Sequence, residues 1–118
     1  MRVRQRIRAL AQECGFSLVE QTKLITAASE LARNTLIHGK GGTVTAQLTE
    51  EPGRRGLYLV FTDHGPGIPD SALALTDGWS SGNGMGLGLS GSRRLVDDFT
   101  LESTPGHGTT VTLTKWAR

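Results

Sequence analysis

Two glycine-rich segments constrain this chain most: Asp63-His64-Gly65-Pro66-Gly67-Ile68-Pro69, and Gly82-Asn83-Gly84-Met85-Gly86-Leu87-Gly88-Leu89. Glycine weakens the interiors of helices and strands, and proline removes a backbone donor, so residues 64 to 86 are expected to be mostly irregular. Regular structure must then lie on either side of this stretch.

Upstream, Val3, Ile7, Leu10, Ala11 and Cys14 recur at helical spacing, and Gly15 supplies a stop. Ser17 with Glu20 three residues later has the capping-box pattern, and it predicts a second helix running to about His38 before Gly39. Thr43 to Thr49 alternates, and Leu57 to Thr62 is continuously apolar; both predict strands, joined by a loop from Glu50 to Gly56. A third helix is expected from Leu87 to about Asp97. Two closing strands follow, Phe99 to Ser103 and Thr109 to Lys115, around Pro105-Gly106-His107-Gly108. The order is α, α, β, β, loop, α, β, β, which fits one domain over residues 1–118 at this length.

The second helix carries Leu24, Ala27, Ala28, Leu31 and Ala32, extended by Thr35, as an apolar stripe, and Glu30 and Asn34 share a face because residues four apart stack along a helix. A carboxylate and a carboxamide oxygen in one volume suit a base and a metal ligand. Either residue alone is more often plain helix surface, but Asn is a poor interior helix residue unless its side chain is engaged. Asp63 ends an apolar strand, where ligand sites gather. Turn chemistry accounts for Gly65-Pro66 without requiring that carboxylate, whereas binding the amino group of a base requires it. Gly67 would admit a flat ring, and the glycines from 82 to 88 precede a helix whose free amides suit phosphates. No G-x-x-x-x-G-K-[ST], H-R-D or D-F-G occurs, and the glycine loop does not follow the first strand of a βαβ unit.

Composition narrows the classes further. The formal charge is +2, with the basic excess largely in Arg2, Arg4, Arg6 and Arg8, and aromatic residues make up 5% of the chain. Too few aromatics are available for base-stacking platforms, so nucleic-acid binding is not expected. Cys14 is the single cysteine, which excludes an intramolecular disulfide and fits a reducing cytoplasm. No apolar run approaches the roughly 18 residues of a membrane span. His38, His64 and His107 lack partners at metal-ligand spacing and read as surface or turn residues.

The segments Thr26 to Asn34, Asp63 to Asp70, Asp77-Gly78-Trp79-Ser80, Gly88 to Leu95, and the ending from Gly108-Thr109 to Lys115-Trp116 resemble the GHKL ATPases, the superfamily of gyrase, Hsp90, histidine kinases and MutL. Within it the likeness is strongest to RsbT-type serine/threonine switch kinases of the stressosome, with anti-sigma factor kinases next. The resemblance implies a Bergerat ATP-binding fold, an α/β two-layer sandwich in which helices cover one face of a mixed sheet. Members begin with an extra strand that is not seen here, so an exposed sheet edge is expected.

By this resemblance Glu30 is the base, Asn34 coordinates Mg²⁺, and Asp63 binds the adenine amino group of ATP. Gly65, Gly67 and Ile68 lie near the base, Thr109 helps to hold it, and Gly84, Met85, Gly86, Leu87, Gly88 and Leu89 line the phosphates beneath a lid of residues about 70 to 83. Residues Pro66 to Asn83 contain no Lys or Arg, which leaves charge neutralisation to the metal, the helix dipole and Arg33. The implied acceptor is a serine on a STAS-domain antagonist, with a downstream phosphatase or sigma factor as a second partner. The rival from another class is an anti-sigma factor or nucleotide-gated binding module with little transfer activity.

Overall fold

The computed structural model describes residues 2–37, 41–65, 88–104 and 106–117. Two helices, α1 (Arg2–Glu13) and α2 (Leu18–Ile37), precede a hairpin of β1 (Gly42–Glu51) and β2 (Arg54–Asp63). A short α3 (Gly88–Arg94) leads into β3 (Asp98–Thr104) and β4 (Gly108–Trp116). The strands form one sheet in the order β1-β2-β4-β3, and the three pairings are all antiparallel. The α/β two-layer arrangement matches expectation, although no parallel pairing that would make the sheet mixed occurs among the described strands.

The helix boundaries follow from local chemistry. After α1, Gly15 adopts φ 83°, Phe16 N–H bonds the Ala11 carbonyl at 3.0 Å, and Gly15 N–H bonds that of Gln12 at 3.0 Å, the paired closure of a Schellman motif. The Ser17 hydroxyl accepts from Glu20 N–H at 3.2 Å and caps α2. It reaches the Glu20 carboxylate at 3.4 Å, so the box is closed between side chains. The third helix is shorter than the apolar spacing predicts. The chain is drawn to the sheet at Asp97, whose N–H bonds Thr114 O at 3.0 Å and whose carboxylate accepts from Trp116 N–H at 2.7 Å.

The strands are longer than predicted. Residues expected to loop between Glu50 and Gly56 continue the ladder, with Glu51 opposite Arg54 and only Pro52-Gly53 left to turn at a Gly53 φ of 85°. The Arg54–Glu51 contact at 2.7 Å is solvent-exposed, and such pairs contribute little.

Pairing sorts side chains into rows, because directly opposed residues of antiparallel strands project to the same face. Toward the helices these rows are Leu48–Leu57–Lys115, Ala46–Leu59–Leu113–Phe99 and Val44–Phe61–Val111–Leu101. Leu57 and the latter two rows make the core with Ile7, Ala11, Phe16, Leu24, Ala28 and Leu31 from the helices, whereas Leu48 on the edge strand is exposed. Each large aliphatic or aromatic side chain fully buried there contributes about 1.5–3 kcal/mol of transfer free energy. The opposite face is rich in threonine, with Thr45, Thr62, Thr110, Thr112 and Thr114 at the alternate positions. On that face Trp116 lies over Gly56, where a Cβ would come within 2.8 Å of the indole, and Arg54 stacks on the ring at 3.9 Å.

Candidate nucleotide site

One further row lies beyond the apolar ones and changes character. Gly42 on β1 is opposite Asp63 on β2, Asp63 opposite Thr109 on β4, and Thr109 opposite Ser103 on β3. By parity with Phe61 and Val111 this polar row faces the helices, directly after the Val44–Phe61–Val111–Leu101 row. An apolar floor thus ends in a line of carboxylate and hydroxyls.

Each member is held in place. Asp63 Oδ1 accepts the Gly65 N–H at 2.9 Å, which fixes the carboxylate within an Asx-type turn and leaves Oδ2 outside that bond. Thr109 Oγ1 and Ser103 Oγ lie 2.8 Å apart, and the Ser103 hydroxyl is also 3.2 Å from the Gly108 carbonyl as a donor. Gly108 is at φ 97°, and a Cβ there would fall 2.2 Å from the Asp63 carbonyl oxygen, so β4 can approach β2 at this row only as glycine.

Helix α2 crosses above, packing on β1, β2, α1 and α3. Thr35 is buried, donates to the Leu31 carbonyl at 3.0 Å, and presses its methyl toward Gly42, where a Cβ would meet it at 2.9 Å. Asn34 is the adjacent residue, about 1.5 Å of axial rise away, so it reaches the level of the polar row. Ala27, Glu30 and Asn34 follow one another at spacings of three and four, from the fully buried Ala27 to the half-buried Glu30 and Asn34.

Glu30 Oε2 and Ser29 Oγ are buried atoms without a hydrogen-bond partner among the described residues. A carboxylate oxygen in that state is costly unless something arrives to satisfy it, which suits a proton donor or a bound group rather than a finished structural contact. The Asn34 carboxamide oxygen suits a hard divalent cation beside phosphate, with the Glu30 carboxylate one turn earlier left to accept a proton.

Of the residues singled out in the sequence, Asp63, Gly65 and Thr109 come together at one end of the sheet, and Glu30 and Asn34 lie along the helix that crosses it. Gly88 opens α3 and Leu89 follows within it. Gly67, Ile68, Gly84, Met85, Gly86, Leu87, the lid segment and His38 lie outside the described residues. His64 and His107 are exposed. Thr35 is buried, as its place on the apolar stripe implies, whereas sequence reasoning passed over Ser103 and Gly42. Ser103 was accessible in principle, since a hairpin closed over residues 104 to 108 sets 103 against 109, whereas nothing local marks Gly42 as the partner of Asp63.

Cys14 is buried, with its thiol 3.4 Å from the Gly56 carbonyl, and burial pushes its pKa up against the opposing effect of Arg55, with Glu13 and Glu50 adding to the rise. It borders a cavity of about 350 Å³ at the far end of the sheet, beside Leu48 and Thr49.

A two-layer α/β domain with an acidic residue at the end of an inner strand and a Glu/Asn stripe on the covering helix defines a nucleotide-binding class. Residues 19–118 match the family of histidine kinase-, DNA gyrase B- and HSP90-like ATPases, and the chain belongs to that ATP-binding family. Among its relatives, the serine/threonine-protein kinase RsbT of Bacillus subtilis strain 168 is 42% identical over 115 residues, covering 98% of this chain and 86% of the relative. An anti-sigma F factor of Bacillus licheniformis is 34% identical over 105 residues, 81% of this chain and 69% of the relative. One from Thermoanaerobacter sp. strain X514 is 29% identical over 116 residues, 93% of this chain and 80% of the relative. Among the described residues no helix is long and apolar enough to cross a membrane.

Proposed function

We propose that this chain is a Mg-ATP-dependent protein serine/threonine kinase, a single domain over residues 1–118, acting in the cytoplasm within a partner-switching module on a STAS-domain antagonist. A downstream phosphatase or sigma factor is its second partner. The observation that carries the reading is the polar row Asp63–Thr109 at the end of an apolar sheet face, with the unsatisfied Glu30 oxygen on the helix that crosses it.

Asp63 Oδ2 accepts from the adenine amino group while Gly65 N–H holds Oδ1. Thr109 supports the same edge of the base, and Gly67 and Ile68 lie beside it. The backbone of Gly84, Met85, Gly86, Leu87, Gly88 and Leu89 provides amides for the phosphates. Asn34 holds Mg²⁺, which when bound neutralises charge on the phosphates. A seryl hydroxyl is a weak nucleophile, and Glu30 accepts its proton at Oε2 as the oxygen attacks the γ-phosphorus and the bond to the β-phosphate oxygen breaks. Arg33, exposed three residues after Glu30, contributes positive charge close to the carboxylate.

The test mixes the protein with Mg-ATP and a STAS-domain protein and reads one added phosphoryl group by intact mass, with Glu30→Gln as control. Transfer lost in the control supports the kinase reading, and transfer retained removes the base assignment. The anti-sigma F relatives favour a second reading, a nucleotide-gated binding module, which complex formation without transfer would support.

A further inference from the structure

We propose that the outward ridge of α2, from Val19 through Lys23 and Thr26 to Glu30, is the surface on which the phosphoacceptor protein docks. It fits an acceptor segment with an acidic side chain about 10 Å, and an apolar one about 16 Å, from the reacting hydroxyl. The inference rests on the kinase reading above and adds to it the surface that recognises the acceptor.

Helical spacing puts these side chains in line. Val19, Lys23, Thr26 and Glu30 recur at intervals of four, three and four, so they stack along one strip of the helix. This strip is turned away from the buried one made by Leu24, Ala28, Leu31 and Thr35. Val19, Lys23 and Thr26 are exposed, Val19 by 64%, and the strip ends at the half-buried Glu30. A partner lying along it therefore brings its hydroxyl to the carboxylate that takes the proton.

Charge decides what the ridge takes. Of the two acids on α2, Glu20 is buried at the Ser17 cap and Glu30 is the candidate base. The exposed charges on the helix are Lys23 and Arg33, both basic. Helix α3, which packs against α2, contains no acid and carries the exposed Arg93 in its last turn. An acidic acceptor segment complements this surface and a basic one is repelled. Lys23 lies seven residues and Val19 eleven residues before Glu30. At about 1.5 Å of rise per residue these separations set the two distances, which an extended segment spans in about three and about five residues.

The experiment uses the full chain, Mg-ATP and the STAS-domain protein. It measures kcat and KM for that acceptor, and its Kd with a non-hydrolysable ATP analogue, in the wild type, Lys23→Glu, Val19→Ala and Leu18→Ala. Leu18 is 74% exposed but stands about 100° around the helix from Val19, so it controls for general surface apolarity. Lys23→Glu should raise KM and Kd by about tenfold, an effect that shrinks in about 1 M salt. Val19→Ala should raise both by about threefold at either salt concentration. In the two variants kcat and the affinity for Mg-ATP stay at the wild-type value, and Leu18→Ala changes nothing. Replacing an acidic residue near the acceptor serine with lysine should restore binding to Lys23→Glu. Unchanged KM and Kd in Lys23→Glu, with transfer by the wild type intact, overturn the docking ridge and leave the kinase reading standing. A wild type that binds the acceptor without transfer overturns the kinase reading, and Kd alone then decides the ridge. A wild type that neither binds nor phosphorylates it overturns both. A wild-type dimer that Val19→Ala dissociates, or Lys23-dependent binding to phosphatidylserine vesicles tighter than to the acceptor, overturns the proposal in favour of a second copy or a membrane.

Discussion

Replacing Gly108 with alanine perturbs the close approach of β4 to β2 at the polar row. Two separable costs arise. The first is conformational: a φ of 97° is left-handed territory, where a non-glycine residue loses about 1 kcal/mol. The second is steric. The new Cβ would stand 2.2 Å from the Asp63 carbonyl oxygen and 2.9 Å from the His64 Cα, both main-chain atoms that no rotamer change can move. Relieving this to an ordinary contact shifts β4 from β2 by about 1 Å and weakens the ladder bonds on either side, each worth about 1 kcal/mol. The sum is about 3 kcal/mol, or a fall in Tm of about 10–15 °C for a domain of this length. Gly106→Ala is the matched control, since Gly106 lies in the same hairpin at φ 83° with nothing within 4 Å of its Cβ position. It carries only the conformational cost, about 3–6 °C. Thermal unfolding with and without Mg-ATP reads both variants, and the stabilisation by ATP should vanish in Gly108→Ala and persist in Gly106→Ala. Equal Tm values for the two, with equal ATP-dependent shifts, would refute the claim that close strand approach at Asp63 builds the site.

Other outcomes follow from the same geometry. Glu30→Gln should retain ATP affinity and lower phosphotransfer by about 10²–10⁴-fold in single-turnover assays, the range of general-base catalysis. Ser17→Ala removes the α2 cap and should lower Tm by about 3–6 °C, equivalent to about 1 kcal/mol, without changing ATP affinity. Cys14 has a pKa raised by burial from its ordinary value of 9.0, so the unfolded chain releases that proton first as pH climbs. Stability should therefore decline above about pH 9, and the decline should be shallower in Cys14→Ala when Tm is followed from pH 8 to 10.

The helices were legible because their signals are local. The Ser17 cap and the Gly15 stop each act within a few residues, and both occur as expected. The strand cores were legible from alternation over Thr43 to Thr49 and from the continuous apolar run of Leu57 to Thr62, but the strand ends were not. Glu50, Glu51, Arg54 and Arg55 have turn-like composition, yet pair because the neighbouring ladder holds them in register. Lys115 reads as an outward residue by type. Its register opposite Leu57 places it on the helix-facing side, where it is buried, an arrangement its long aliphatic stem tolerates.

The sequence by itself determined the order of elements, the Glu30–Asn34 stripe and the candidate role of Asp63, since helical spacing and strand ends are set by residues near one another in the chain. Only the tertiary structure decided that Gly42, Asp63, Thr109 and Ser103 form one row, and that Thr35 closes over it. Those residues come from four strands and a helix, and their alignment depends on inter-strand register, where a slip of one residue would turn each side chain to the other face. Register is fixed by burial of the apolar rows across the whole sheet, so the polar row that ends them is a property of the packed domain.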